Sequence, residues 1–330
     1  MAEHYTPTEK NFIEFYENYV HEFSKRTDLP FRIHSITFEE NAGPSSVHGI
    51  TLSSPKDESW KARHLDGFVS SNLSKCRFAD ERKQEILRCV TDISRLVNLL
   101  SYRFDEPIEW QPARVLKVRK VKQASKEGTE VDTGEFDVII PFEESTPRFG
   151  MIIRNEHVNE ISWIWKAIDD ISENDVKEIV WRSIDLFARG QRSYSVFNRF
   201  TYFWDSIELV VNFWWELTRL RSDRTDRISK IMALSRGLTE ENCLEKARAI
   251  CDVLETPWCN KVDRFLKFFF PPTYKEMMSA MDRLYDKRNA IVHTRLHESS
   301  LADYESVEAQ IRVMKKMSQE LIKALMRGPI

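Results

Sequence analysis

The feature that most constrains the fold is a change of pattern near residue 150. Prolines thin out beyond that point, and from about residue 155 hydrophobic residues recur at the spacing of amphipathic helices. The segment "FFFPPTY" (268–274) interrupts this pattern, because proline disfavours helix in the residue before it. The pattern of the second half therefore predicts helices near 157–170, 174–189, 195–220, 239–255, 260–270, 274–293 and 301–326.

The first 150 residues show a mixed pattern. Aromatic and aliphatic residues at helical spacing predict helices, alternating segments predict strands, and two of those strands flank a polar segment as in a hairpin. The expected elements are helices at 8–27 and 80–102, strands at 31–38 and 46–52, a loop within 42–60, and a hairpin of 113–123 with 135–144.

The predicted fold class is α+β. A mixed α/β N-terminal domain with a β-hairpin, residues 1–150, is expected to precede an all-α helical bundle, residues 151–330. A chain of 330 residues is long enough for two such domains.

Composition limits the kind of partner and cofactor. A net charge of -3 means that a nucleic-acid site must be a local basic patch. No apolar run is long enough to span a bilayer, and the acidic N-terminus has no apolar signal core, so we expect a cytoplasmic protein without membrane contact. No cysteine pair has zinc spacing, so we expect reduced thiols, no metal and no cofactor: Cys76, Cys89, Cys243, Cys251 and Cys259.

The predicted helix 274–293 carries an arginine in an unfavourable place. Arg288 falls within an apolar stripe, where a charge is costly unless it meets an anion. Either a buried carboxylate faces it, or the stripe borders a charged cleft. The rest of the stripe is apolar: Met277, Met281, Leu284 and Ile291.

The same helix ends in a histidine. On a straight helix, Arg288 and His293 point about 140° apart, so one copy could not close both around a phosphate. Either the helix ends or distorts near Ala290, or a second chain completes the site. Asn289 lies four residues before His293 and can contact it.

The predicted helix 195–220 carries a broad aromatic stripe. We interpret the stripe as core or dimer interface rather than as a platform for bases. Glu208 lies at its edge and is a natural partner for an arginine in the same core. The stripe consists of Phe200, Phe203, Trp204, Ile207, Val211 and Trp214.

Two segments resemble HEPN domains (higher eukaryote and prokaryote nucleotide-binding), which are bundles of four to five helices. "LYDKRNAIVH" (284–293) resembles the Arg-x4-His motif, and "FWDSIELVVNFW" (203–214) is similar to the Trp-x-x-hydrophobic-Glu helix of that family. The resemblance is closest to the Apea-like and abortive-infection type and covers residues 172–328. The segment "HTRLH" departs from it, since many relatives carry a glycine soon after the histidine.

The resemblance implies a metal-independent endoribonuclease that acts as a dimer, in a toxin or antiviral-defence setting. Residues 1–150 would then sense a trigger or bind an inhibitor protein. The catalytic residues carried over are Arg288, His293, Asn289 and Glu208, and the basic residues expected to contact RNA are Lys287, Arg295, Arg221 and Arg224.

The residue types suit that chemistry. RNA carries its own nucleophile, the 2′-OH, so cleavage needs proton transfer and stabilisation of charge on the phosphorane. Histidine exchanges protons near neutral pH, and arginine can hold two phosphate oxygens. Two copies of the pair would supply both an acid and a base.

Other interpretations stay open at this point. Arg288 could form a structural salt bridge with Glu208 or Asp286, and His293 could be an ordinary residue at a helix C-terminus. The chain would then be a non-catalytic HEPN module that binds nucleotide or protein. The basic segments 114–126 and 219–230 could contact phosphates, or they could be a charged strand edge and a solvated loop.

Overall fold

The structure is a computed structural model, and it is of mixed α+β class, which confirms the predicted class at that level. Its contacts divide the chain into two compact units, 1–167 and 168–330. The residues described are 7–23, 26–39, 44–54, 64–123, 130–141, 151–222, 232–233, 235–236, 257–293, 296–297 and 299–327.

The first unit combines four helices with eight strands among its described residues. The short element Leu73–Lys75 is a single 3-10 turn. The helices are α1 (Pro7–Asn18), α2 (Val20–Phe23), α3 (Ala79–Phe104) and α4 (Asn155–Asp169), and the strands are β1 (Asp28–His34), β2 (Ile36–Phe38), β3 (Ser45–Val47), β4 (Ile50–Ser53), β5 (His64–Ser70), β6 (Glu109–Gln123), β7 (Glu130–Pro141) and β8 (Met151–Ile153).

In the described residues, six strands form one antiparallel sheet in the order β3-β4-β5-β1-β6-β7. Strands β6 and β7 are neighbours, as the predicted hairpin requires. Strand β8 pairs in parallel with β2, which places Met151–Ile153 in the first unit. The contacts therefore divide the chain after Ala167, whereas composition alone suggested a boundary near residue 150.

Backbone turns account for the strands that were predicted wrongly. The segment 31–38 is two strands, because Ser35 has a φ of 65° and turns the chain from one sheet into another. The segment 46–52 is a tight hairpin around His48 and Gly49, whose φ values of 47° and 77° fit a two-residue turn of type I′. Strand β5 was not predicted. The single helix predicted over 8–27 is two helices, Pro7–Asn18 and Val20–Phe23.

The two faces of β1 differ in chemistry. Phe31 is fully buried, and its ring lies where a side chain on Gly67 of β5 would be. The opposite face carries Arg32 and Asp66, which form a buried ion pair of 2.9 Å. His34 follows on that face, and its burial, followed by the charge of Arg32, lowers the pKa of its imidazole to about 4.

The described second unit is helical. The helix Val196–Ser222 packs against the helices Asn174–Arg192, Trp258–Phe269, Tyr274–Val292 and Leu301–Arg327. The predicted helices there are confirmed to within three residues at each end, except that the helix predicted over 239–255 lies outside the described residues. The observed bounds are α5 (Asn174–Arg192), α6 (Val196–Ser222), α7 (Trp258–Phe269), α8 (Tyr274–Val292) and α9 (Leu301–Arg327).

The predicted aromatic stripe of α6 is core. All six of its side chains are at most 5% exposed. Gly190 lets α5 approach closely, since a Cβ atom there would lie 2.8 Å from the ring of Phe203. Ser206 donates a hydrogen bond to the Ser183 carbonyl at 3.0 Å and lies 2.9 Å from the Ser318 hydroxyl. These contacts join α5, α6 and α9 around one core.

Candidate functional site

Helix α8 is continuous through the motif. It runs to Val292, and the backbone N–H of His293 still donates to the carbonyl of Asn289 at 3.0 Å. The alternative that the helix ends or distorts near Ala290 is therefore wrong. The side chains of Arg288 and His293 leave the helix about 140° apart.

Arg288 is half-buried, as its place in an apolar stripe requires. Its Nη1 donates to the side-chain oxygen of Asn289, at 3.3 Å. In the described part of the chain, no ion pair joins Arg288 to Glu208 or Asp286, so the interpretation of a structural salt bridge with either residue is wrong. Among the described residues, the other N–H groups of this guanidinium form no hydrogen bond, so they are able to bind an anion.

Asp205 on α6 is a member of the site that the sequence interpretation missed. Burial raises the pKa of its carboxyl, the negative charge of Glu208 raises it further, and the positive charge of Arg288 lowers it. Arg288 is therefore close enough to act electrostatically on this carboxyl. The spacing "DSIE" in residues 205–208 was the available signal, since residues three apart lie on one face of a helix.

Glu208 has a defined partner within its own helix. The indole Nε1 of Trp204 donates to its Oε2 at 2.9 Å. The buried ring of Trp204 then contacts Trp258 of α7 and Tyr285 of α8, with ring centroids 5.4 and 6.0 Å apart. Glu208 thus fixes the aromatic contact that holds α8 against α6.

His293 lies at the other side of the helix end and is exposed. It is the C-terminal capping residue of α8, with φ −87° and ψ 18°. Its contact with Asn289 is the backbone hydrogen bond, and the described residues show no bond between the two side chains. The imidazole is therefore accessible to a substrate or to a second chain.

One of the four basic residues expected to bind RNA has a described side chain. Lys287 is half-buried, and its Nζ donates to the Ser306 hydroxyl of α9 at 2.6 Å. Arg221 lies in the last turn of α6, but its side chain is not among those described. Arg224 and Arg295 lie outside the described residues.

The basic segment 114–126 begins in β6, where Arg114 is exposed. Strand β6 pairs with β1 through Pro112 and with β7 beyond it, so β7 rather than β6 ends the sheet among the described strands.

The described residues contain no group of three or more His, Cys, Asp or Glu side chains that could hold a metal ion. Searching the same residues, we find no helix with the length and hydropathy needed to cross a membrane. The cysteines within the described ranges are free thiols: Cys76, Cys89 and Cys259.

The helices α6 and α8 thus place one half-buried arginine near the Asp205 carboxyl, with an exposed histidine at the end of the same helix. Comparison with family models, with curated proteins and with solved structures found no match to this chain.

Proposed function

We propose that this chain is a metal-independent endoribonuclease of the HEPN type. One observation carries the proposal. Arg288 is half-buried beside Asp205, without an ion pair to Glu208 or Asp286, and the exposed His293 ends the same helix. A half-buried guanidinium that has unused N–H groups as well as a nearby carboxyl is suited to bind an anionic substrate.

The roles of the residues follow from their chemistry. Arg288 binds two oxygens of the scissile phosphate and stabilises the charge of the phosphorane. His293 moves a proton at the 2′-OH or at the leaving 5′-oxygen. Asn289 orients the guanidinium through their hydrogen bond, and Glu208 orients α8 through Trp204. Lys287, Arg295, Arg221 and Arg224 bind the flanking phosphates.

The proposal includes a homodimer. Because α8 is continuous, the two side chains of one copy diverge and do not surround one phosphate. A two-fold axis near the end of α8 would bring the Arg288/His293 pairs of both chains to one cleft, where the two histidines supply the acid and the base. Closed two-fold contacts are the commonest oligomer interface.

The test is cleavage of RNA by the purified chain in the presence of a chelator. We expect products with 2′,3′-cyclic phosphate and 5′-hydroxyl ends, because the substrate supplies the nucleophile. His293→Ala is expected to abolish cleavage. The matched control is His297→Ala, which removes an exposed histidine four residues further on. Products with 5′-phosphate ends would contradict the proposal.

A second candidate is a non-catalytic HEPN module that binds nucleotide or protein. The observation that favours it is the capping position of His293, where a protonated imidazole interacts favourably with the helix dipole. In that case His293→Ala lowers the stability of the bundle and leaves RNA uncut in both forms. Thermal unfolding of the two proteins, measured beside the cleavage assay, separates the two candidates.

The proposed setting is a cytoplasmic toxin or antiviral-defence effector. Residues 1–150 would then bind the trigger or the inhibitor, since the charged motif lies outside them. Growth of cells that express the wild-type chain, compared with cells that express His293→Ala, tests this setting. Equal growth at equal protein level would contradict a toxin.

A further inference from the structure

A partly exposed face of α8 carries an aromatic ring one turn from Arg288. Tyr285 lies one turn before Arg288, and it is 37% exposed although its ring packs against the buried Trp204. Val292 lies one turn after Arg288 and Asn289, and it is 52% exposed. Residues spaced by three, four and seven share one helix face, so these four side chains form a single strip.

The ring of Tyr285 is restrained by its contact with Trp204. Its centroid is 6.0 Å from that of Trp204, within the usual range of aromatic pairs. The Trp204 indole is fixed by its 2.9 Å hydrogen bond to Glu208 and by its contact with Trp258. The two rings are tilted by 43°, and Tyr285 is 37% exposed, so part of a ring that Trp204 already restrains is accessible to a ligand.

We propose that Tyr285 is a stacking site for one unpaired nucleobase of single-stranded RNA. The inference rests on the proposed function, because it places the base beside the phosphate that Arg288 binds. Side chains three residues apart on a helix have Cβ atoms about 5–6 Å apart, which a single nucleotide can span. Single-stranded RNA is commonly recognised by such stacking on aromatic side chains, whereas the bases of a duplex are not available for it.

The stacking site gives the nuclease a preference for loops and unpaired segments. A duplex can place its phosphates near Arg288, but it offers no free base to Tyr285. The preference would be for unpaired nucleotides in general rather than for one base, since every base has a face that can stack.

The experiment measures binding in the full-length chain with His293→Ala, so that the RNA is not cut. The probes are a fluorescent single-stranded oligoribonucleotide and an oligomer of the same length without bases. Tyr285→Ala is expected to weaken binding of the first about 5- to 100-fold and to leave the second unchanged. Tyr285→Trp, which keeps a ring, should bind like the parent.

The matched control is Phe268→Ala. Phe268 is 52% exposed and packs against Trp214 of α6, ten residues and therefore about 15 Å along the helix from Trp204. Its removal should change neither affinity. The oligomeric state of each variant is measured by light scattering at the concentrations of the binding assay.

Each remaining result decides the question. Equal affinity of Tyr285→Ala and its parent overturns the stacking site, as does equal weakening for the oligomer without bases or loss of the dimer. A chain that binds no RNA overturns it as well. Binding that depends on Tyr285, in a wild-type chain that cuts no RNA, keeps the stacking site and rejects the nuclease.

Discussion

Arg288 is the residue on which the candidate site depends. Arg288→Ala is expected to lower kcat of RNA cleavage by at least a hundredfold, because a charge-stabilising donor contributes about 3 kcal/mol or more to the transition state. The measurement is single-turnover cleavage of the oligoribonucleotide by the two proteins at equal concentration.

Arg283→Ala is the matched control for Arg288→Ala. Arg283 lies on the same helix, is exposed, and binds the Ser279 hydroxyl at 2.9 Å. Its loss removes the same charge from α8 without touching the site. Equal loss of activity in both variants would mean that general charge, and not the position of Arg288, supports cleavage.

His34 makes the stability of the first unit depend on pH. Its pKa in the folded chain is about 4, against an ordinary value near 6.5, because burial and Arg32 disfavour the charged imidazole. The unfolded chain therefore takes up the proton first. The stabilising contribution is complete above pH 6.5 and is lost as the pH falls to about 4.

The difference between the folded and unfolded pKa values of His34 corresponds to about 2 kcal/mol in the free energy of unfolding, after allowance for its partial exposure. Urea unfolding followed between pH 4 and pH 7 is expected to show a free energy of unfolding that falls as the pH falls, and His34→Gln is expected to reduce the slope of this dependence. His21→Gln, a change at an exposed histidine of the same unit, should leave the slope as it is. An unchanged slope in His34→Gln would assign the effect to other groups.

At the scale of elements, the close contact of β5 with β1 is a sharp constraint. A Cβ atom on Gly67 would lie 2.3 Å from the ring of Phe31, which is fully buried. Gly67→Ala is therefore expected to lower the free energy of unfolding by about 1–3 kcal/mol, the usual cost of overpacking a core. Urea unfolding monitored by the circular dichroism of the sheet measures the change.

Phe31→Leu provides the internal control. If the cost of Gly67→Ala comes from the ring, the two changes together should cost less than the sum of the two single changes. If the two changes are additive, the loss of stability in Gly67→Ala comes from the backbone of β5 and not from the ring of Phe31.

The helices of the second unit could be predicted well because each has an apolar face that repeats every three to four residues. Strand boundaries in the first unit could not, since Ser35, His48 and Gly49 turn the chain through positive φ values that no hydrophobic pattern marks. Strand β5 escaped prediction for a related reason. Its sequence "HLDGFVS" contains a glycine and buried polar residues in place of a clean alternation.

The candidate site was predictable in part. The motif led to Arg288 and His293 because their residue types suit phosphate chemistry. Asp205 was missed, since its relevance depends on how α6 packs against α8, and the hydrogen bond of Glu208 to Trp204 depends on side-chain conformation. A sequence read one helix at a time contains neither fact.

At the scale of the whole molecule, the proposed dimer predicts a dominant effect of inactive subunits. When wild-type chain is mixed and exchanged with an excess of His293→Ala chain, the specific activity per wild-type chain is expected to fall severalfold. Both Arg288/His293 pairs of a dimer would meet at one cleft, and the cleft of a mixed dimer would have one histidine in place of two, so it would lack either the acid or the base. The measurement is cleavage rate against the mixing ratio, with subunit exchange checked by labelled chains.

Activity that depends linearly on the amount of wild-type chain, with no effect of the added variant, would show that one copy is sufficient. His297→Ala serves as the control partner in the same mixing series, because it should exchange equally well and leave each site complete.

The continuity of α8 to Val292 has a consequence for how activity depends on protein concentration. If the cleft needs the Arg288/His293 pairs of two chains, the rate at low concentration follows the square of the protein concentration. Halving the supply of the chain would then reduce cleavage fourfold. A cell could therefore tolerate a low basal amount of the protein, and a modest rise in synthesis would turn a nearly silent population of single chains into an active one.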